Sequence, residues 1–452
     1  MNSRKNFNAL QERRDFLKTS SLGPFLAMAN AYPPMQRTYA ADSPNERFKM
    51  GFIGCGGMGY GDACGMAYYG GDFVAFADVD VNQTDRFKNA EAITKKPSEV
   101  DCYQDYRRLL ERDDIEVVGI ATPDHWHVKI AVEALLAGKH VFCQKPLTLT
   151  IEENKLIRKA AQQSNKTFQV GTQQRLMKDY FMTATLLVRK GLIGNIKNIE
   201  VYLHTGPSGG PFPTAEIPQN LDWDLFLGQA PYCEFRPQRC KGTFRYWYEY
   251  SGGQFTDWGA HHVDCALWAL DQLGKGLGPV EFDGRDVKHA SALDDKGMPT
   301  CDDYYNTAVN FQVKTKFANG VEMLICDKNF NGILFEGTEG RIFVDRGRIT
   351  GKPIEEERHK SLTEEDFIAL NKGKPLEDHK ANFFRCIREG GLTASDVESH
   401  TYAMNACHLC GISARLGRVI KWDPVEERIL DDEYAQTMTA REARKGYELP
   451  TL

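Results

Sequence analysis

The sequence predicts an α/β protein, with a doubly wound parallel sheet in its first half and an α+β second half built on a mostly antiparallel open sheet. Three observations carry this. From residue 47 onward, short apolar runs alternate with amphipathic ones, the mark of strands alternating with helices. The first such run ends in Gly54-Cys55-Gly56-Gly57-Met58-Gly59, a glycine turn between a strand and a helix. Beyond residue 306 the apolar runs are punctuated by Asn319-Gly320, Asn331-Gly332 and Glu339-Gly340, which suits hairpins.

Taken in order, the apolar runs predict strands over 48–53, 73–77, 117–121, 140–143 and 168–171. Helical periodicity places helices over 60–69, 106–111 and 128–137, the last stopped by Gly138. Thr150 caps another helix, and Glu153 three residues on completes a capping box. After Gly171 the pattern changes. A strand is expected over 198–204, a Pro/Gly-rich loop over 207–218, several strands between 306 and 345, and helices over 380–389 and 397–416. The resulting division is a segment of its own at 1–41, a parallel-sheet domain at 46–171, an α+β domain at 172–435 and a tail at 436–452. A length of 452 residues suits two domains. A net charge of −6 gives no reason to expect a nucleic acid partner. No apolar run is long enough to span a bilayer.

The glycine turn has the context that gives it meaning, a strand before it and a helix after it. Gly54 permits the tight turn, Gly56 lets the backbone approach a pyrophosphate, and Gly59 allows close helix–strand packing. Gly57 and Met58 complete the loop, whose helix end offers N–H groups to phosphates. Asp78 ends the second predicted strand, where a carboxylate accepts hydrogen bonds from ribose hydroxyls. It repels a 2′-phosphate, and no arginine follows it immediately. The expected cofactor is therefore a dinucleotide on a Rossmann domain, NAD in preference to NADP.

Glu12-Arg13-Arg14-Asp15-Phe16-Leu17-Lys18 precedes a mildly apolar stretch over 22–31, with Ala29-Asn30-Ala31 as a cleavage site. This resembles a twin-arginine export signal. It implies the twin-arginine machinery as a partner, the periplasm as destination, and a cofactor loaded before export and tightly held. Of the twelve cysteines, Cys55, Cys143, Cys265 and Cys326 lie in apolar surroundings and read as small hydrophobes. Cys407-His408-Leu409-Cys410 has the spacing of a metal or redox pair, but no second pair completes a zinc site.

At this point the sequence resembles the Gfo/Idh/MocA family, named for glucose–fructose oxidoreductase and inositol dehydrogenase. The resemblance rests on the Gly54 turn, Thr122-Pro123, Lys145-Pro146, and Gly252-Gly253 through Asp257, His261 and Asp264. The end, Ala414-Arg415-Leu416-Gly417-Arg418 with Trp422-Asp423-Pro424, resembles an exported bacterial branch. The family's usual Glu-Lys-Pro is here Gln144-Lys145-Pro146, which changes the field at Lys145. The resemblance implies that a lysine, an aspartate and a histidine surround a reacting carbinol, and that the protein forms dimers or tetramers.

Residue chemistry agrees. Oxidising an alcohol needs a base for the hydroxyl proton while hydride leaves. His261 suits that role, with His262 as the alternative. Asp257, four residues earlier, would share a helix face with His261 and orient it or hold a substrate hydroxyl. Lys145 follows a strand's C-terminal end, where open α/β sheets place ligands, and would stabilise a developing alkoxide. Thr122, Pro123, His125, Lys145 and Pro146 are expected beside the cofactor, with His127 as a packing neighbour. Gln174, Arg175, Tyr246, Trp258 and Asp264 are expected to contact a sugar or polyol, although Asp264 would serve equally to brace its helix. Trp223, Trp247 and Tyr248 divide between pocket and core. His261, Asp257 and Asp264 do not make a metal site, since no further ligands cluster with them. The predicted activity is hydride transfer between NAD and a carbinol carbon of a sugar, glycoside or cyclic polyol. Two other readings stand beside it: an NAD-using glycosidase or lyase acting by transient oxidation, and a non-catalytic sugar-binding protein.

Overall fold

The computed structural model describes residues 47–452. The export-signal expectation at Arg13-Arg14 lies outside the described residues. The first sheet has six strands: β1 (Phe48–Ile53), β2 (Gly71–Ala77), β3 (Asp101–Tyr103), β4 (Val117–Ile120), β5 (His140–Cys143) and β6 (Phe168–Val170). Their order is β3-β2-β1-β4-β5-β6, and every pair is parallel. Strand order reverses at β1, so the C-terminal ends of β1 and β4 flank the crevice where such sheets bind ligands. The edge strand β3 and the helix Val81–Lys88 escape sequence reading, because both are short and mostly polar.

The second sheet has nine strands: β7 (Ile196–His204), β8 (Pro279–His289), β9 (Ala308–Phe317), β10 (Glu322–Lys328), β11 (Gly332–Gly337), β12 (Arg341–Val344), β13 (Ile349–Thr350), β14 (Val419–Asp423) and β15 (Arg428–Leu430). The order is β13-β12-β11-β7-β10-β9-β8-β14-β15. β7 and β10 pair in parallel, and the other neighbours are antiparallel. Along β9 the alternation is plain: Phe311, Val313, Thr315 and Phe317 face the core, while Gln312, Lys314 and Lys316 face out. The helices Gly259–Ala269 and Val397–Leu416 cover the inner face.

A boundary at residue 171 separates the two sheets but not the packing. The helix His379–Glu389 returns to the first sheet and sets Phe383 and Phe384 among Met50, Phe52 and Phe142. The tail returns too. Tyr447, Leu449 and Leu452 pack on the first-domain core, and Lys129 donates to the Glu448 carbonyl at 2.8 Å. Apolar surface on the flanks of a parallel sheet must be covered, and distant chain does the covering here.

Candidate active site

Three of the turn's four glycines are needed for three separate reasons. Gly54 sits at φ +87°, and a Cβ there would lie 2.5 Å from the Thr122 nitrogen. A Cβ on Gly59 would meet the Gly54 carbonyl oxygen at 2.3 Å. A Cβ on Gly56 would meet nothing within 4 Å, so the space above the turn is open for a phosphate group to approach backbone. The helix Gly57–Tyr69 starts there with no side-chain cap, leaving its first N–H groups to an anion. Met58 is exposed at the same end. Asp78 accepts from the Cys55 nitrogen at 2.6 Å and the Asp80 nitrogen at 2.9 Å. Burial pushes its carboxyl up to about 6 against those two hydrogen bonds. The Thr122 hydroxyl beside the turn is buried and has no hydrogen-bond partner among the described residues. These residues fit a dinucleotide. Arg86, on the helix after β2, reaches the turn and donates to the Cys55 carbonyl at 2.7 Å.

Thr122-Pro123 and Lys145-Pro146 follow β4 and β5, and His127 ties them together. Its ring nitrogens lie 2.7 Å from the Pro146 oxygen and 2.9 Å from the Thr122 oxygen. His125 follows Thr122-Pro123-Asp124 and is buried. Its ring is buried against Tyr250, and Nε2 meets the Phe226 carbonyl at 2.9 Å. The helix Asp124–Leu136 begins earlier than its apolar periodicity suggests, which places His125 in its first turn.

Lys145 and Asp257, far apart in sequence, form the centre. The ammonium donates to Asp257 Oδ1 at 2.5 Å and to the Asp257 carbonyl at 2.9 Å. Arg245 Nε donates to the same Oδ1 at 3.0 Å. Burial alone would raise the Asp257 pKa, but Lys145 and Arg245 outweigh it and hold the carboxyl well below the usual range. For Lys145, burial pushes the pKa down and Asp257 pulls it back. A second carboxyl, Asp124, lies close enough to feel both cations. Burial pushes it up to about 7, and it accepts from the Ser251 hydroxyl at 2.5 Å.

The four-residue spacing of Asp257 and His261 predicts one helix face, and the structure corrects this. Asp257 ends the short helix Gln254–Asp257, and Gly259–Ala269 starts a new one. Lys145 takes the Asp257 carbonyl, while the His261 nitrogen bonds Trp258 at 3.0 Å. Asp257 therefore orients Lys145 and not the imidazole. His261 is buried, and its Nδ1 has no hydrogen-bond partner among the described residues. Burial, then the positive charges of Arg346 and Lys145, hold its pKa well below the ordinary value, so the ring is neutral. His262, the alternative, is committed elsewhere: Nε2 faces Asn331 at 3.0 Å and the ring stacks on Trp258.

Arg175 and Asp264 are brought together. Arg175 donates to both Asp264 oxygens at 2.7 and 2.6 Å, and His400 adds a contact at 3.1 Å. Both side chains are buried. Each satisfies the other inside the core, which suits the bracing role expected of Asp264. Gln174 is likewise fully buried, with its amide between Arg346 and His262. Among the aromatics, Trp223, Trp247 and Tyr248 are core, while Tyr246 and Trp258 are half-buried at the site. Sequence reading misses Arg245, Arg346, His204 and Asp124. Arg245 had a signal, its place in the run Arg245-Tyr246-Trp247-Tyr248. Arg346 and His204 had none, because only the second sheet's folding brings them to Trp258.

Comparison with known proteins accords with this geometry. The oxidoreductase family with an NAD-binding Rossmann fold (GFO_IDH_MocA) matches residues 48–172. Its C-terminal alpha/beta domain matches residues 202–449. Among curated relatives, a glycosyl hydrolase family 109 protein of Shewanella pealeana is 28% identical over 42% of this chain and 46% of its own length. An alpha-N-acetylgalactosaminidase of Shewanella oneidensis is 32% identical over 35% of this chain and 36% of its own. The chain thus spans less than half the length of these relatives. A levoglucosan dehydrogenase solved with NADH and L-sorbose shares the fold at a TM-score of 0.54, with 19% identity over 83% of this chain and 99% of that one. With both halves of the chain matched in order, the protein belongs to the Gfo/Idh/MocA oxidoreductase family.

Proposed function

We propose that this chain is an NAD-dependent oxidoreductase that moves hydride between the nicotinamide and a carbinol carbon of a sugar, glycoside or cyclic polyol. The observation that carries the reading is the Lys145–Asp257 pair set beside a neutral, buried His261. When bound, NAD supplies the hydride acceptor. The side chains do the rest. Lys145, fixed by two oxygens of Asp257, places positive charge where alkoxide develops and lowers the hydroxyl's pKa. His261, whose Nδ1 has no hydrogen-bond partner among the described residues, is the acceptor for the hydroxyl proton, and its low basicity leaves Lys145 to lower the hydroxyl's pKa. Asp257, kept ionised by two cations, stays a brace for Lys145. Replacing Lys145 or His261 by alanine is expected to slow turnover by roughly 10²–10⁴-fold. Wild-type rates in both variants would refute the assignment.

Tight cofactor retention is supported by a bridge across the nucleotide end. Asn220 donates to Asp80 at 2.6 Å, and the Asp222 backbone N–H donates to the Val79 carbonyl at 2.9 Å. We infer a homo-oligomer that reaches the periplasm by the twin-arginine route with NAD already inside. Purified enzyme should release close to one NAD per chain on denaturation, whereas activity that depends wholly on added NAD would contradict this. The names of the two Shewanella relatives favour a second reading, in which transient oxidation of a glycoside acidifies a neighbouring C–H and drives elimination. A screen of sugars and glycosides separates the two. NADH accumulates under the first reading, and sugar is released without net NADH under the second.

A further inference from the structure

We propose that Arg415, Arg441 and Tyr248 form a second binding site, for a doubly charged oxyanion of the phosphate or sulfate type, built without Lys145, Asp257 or His261. Distant stretches of chain meet there. Arg415 lies in the last turn of the helix Val397–Leu416, and Arg441 comes from the tail. Tyr248 starts the turn at 248–250, and His289 ends β8. The Arg415 guanidinium sits 4.7 Å over the Tyr248 ring, and the His289 ring lies 6.2 Å from the same ring. Arg441 donates to the Tyr248 carbonyl. Both positive charges act on the Tyr248 phenol, and that of Arg415 acts on Arg441.

Neither guanidinium forms an ion pair with a carboxylate among the described residues. Arg415 donates to the Gly297 carbonyl at 2.8 Å and the Met298 sulfur at 2.7 Å, both uncharged. The carboxyls that act on Arg441 are engaged elsewhere. Glu249 accepts from Arg239 at 3.2 Å and from Asn306 at 2.9 Å. Glu153 accepts from the Leu149 nitrogen at 2.5 Å, and burial pushes it up to about 7, so at neutral pH it carries only part of a charge. Arg441 keeps solvent access, yet desolvation by the surrounding protein, and then the charge of Arg415, lower its pKa to about 10. Tyr248 is 5% exposed, and its hydroxyl has no hydrogen-bond partner among the described residues; nor does His289 Nε2. A buried polar group left without a partner is costly, and so are like charges held together. One dianion relieves both. It offsets two guanidiniums where a carboxylate offsets one, and its several oxygens take the arginine N–H groups and the Tyr248 hydroxyl together. Because Arg441 also holds the Tyr248 carbonyl, occupancy would fasten the tail to the stretch that carries Arg245.

The test is calorimetric titration of inorganic phosphate and of sulfate into the NAD-loaded full chain at constant ionic strength, with acetate as the singly charged control. NAD on the glycine turn keeps the dianion from binding there. One phosphate or sulfate per chain should bind with a Kd of about 1 mM or tighter, and should raise the melting temperature. Arg415→Gln and Arg441→Gln should each weaken binding about 10-fold or more, and Arg441→Lys less. Tyr248→Phe, which keeps the ring and its packing, should weaken it about 3-fold and reads the site even where an arginine variant fails to fold. A Kd weaker than about 1 mM for both dianions, acetate bound as tightly as they are, or affinity unchanged in these variants would each overturn the inference. Loss of the hydride-transfer reading would leave the site standing, since its readout is binding and melting and not turnover.

Discussion

Asp257 holds two cations on one oxygen, Lys145 at 2.5 Å and Arg245 at 3.0 Å, and its value to the site is what it does to the lysine. Burial drives Lys145 towards losing its proton, and Asp257 opposes this. Removing the negative charge disfavours the ammonium, so the lysine pKa falls. Asp257→Asn should therefore shift the alkaline limb of the kcat/KM profile to lower pH, by about one unit or more. An unmoved limb would show that the pair does not set the charge of Lys145. The sequence exposed Lys145, Asp257 and His261 because each is of a reactive type beside a recognisable turn or strand end. It could not show that Arg175 and Asp264 answer each other, since 88 intervening residues separate partners that only the fold brings into contact. Nor could it show that Asp257 and His261 fall in separate helices, with Asp257 turned to Lys145.

Elements divide into those whose contacts lie nearby and those whose contacts lie far along the chain. The glycine turn is of the first kind, and three of its four glycines should separate by experiment. Gly54→Ala and Gly59→Ala meet backbone at 2.5 and 2.3 Å and should destabilise the fold. Gly56→Ala meets open space, so it should melt like wild type yet bind NAD about 10-fold or more weakly, since its methyl fills the phosphate approach. Equal NAD affinity would displace the pyrophosphate from this turn. The helix His379–Glu389 is of the second kind. Phe383 is fully buried against the first sheet, and Phe383→Ala should cost about 3–5 kcal/mol in denaturant unfolding. A loss under about 1 kcal/mol would mean that this helix does not complete the first core. The helix itself is legible from its periodicity, and its destination is not. β8 escapes for a different reason: Pro279–His289 carries Glu281, Asp283, Gly284, Arg285 and Asp286, and its pairing with β9 slips at three places.

For the whole molecule, the parallel sheet is legible because alternating strands and helices admit few arrangements, and the mixed order of the second sheet is not, because β14 and β15 join it from the far end of the chain. The assembled fold buries many histidines in neutral form. Burial lowers His125, His262, His379 and His408 to about 3 and His127 to about 4. As pH falls below the ordinary histidine value near 6.5, the unfolded chain takes up protons that the folded chain refuses, so stability is lost from about pH 6.5 down to about pH 3. Asp78, Asp124 and Glu153, raised to about 6, 7 and 7, work in the opposite direction over part of that window. The five histidines outnumber the three carboxyls, so unfolding should become easier by roughly 2–3 kcal/mol per pH unit near pH 5. Denaturant midpoints that stay flat from pH 7 to 5 would count against the buried neutral rings. The central claim, that Lys145 and His261 carry hydride transfer on an NAD-loaded Rossmann domain, is tested most directly in a single turnover. Substrate is mixed with NAD-loaded wild type, Lys145→Ala and His261→Ala, and formation of the reduced nicotinamide is followed by absorbance. Rapid reduction in wild type and a loss of about 100-fold or more in each variant, with NAD still bound, is the predicted result. Equal rates in all three proteins, or no reduction in wild type with any sugar, glycoside or polyol, would contradict it.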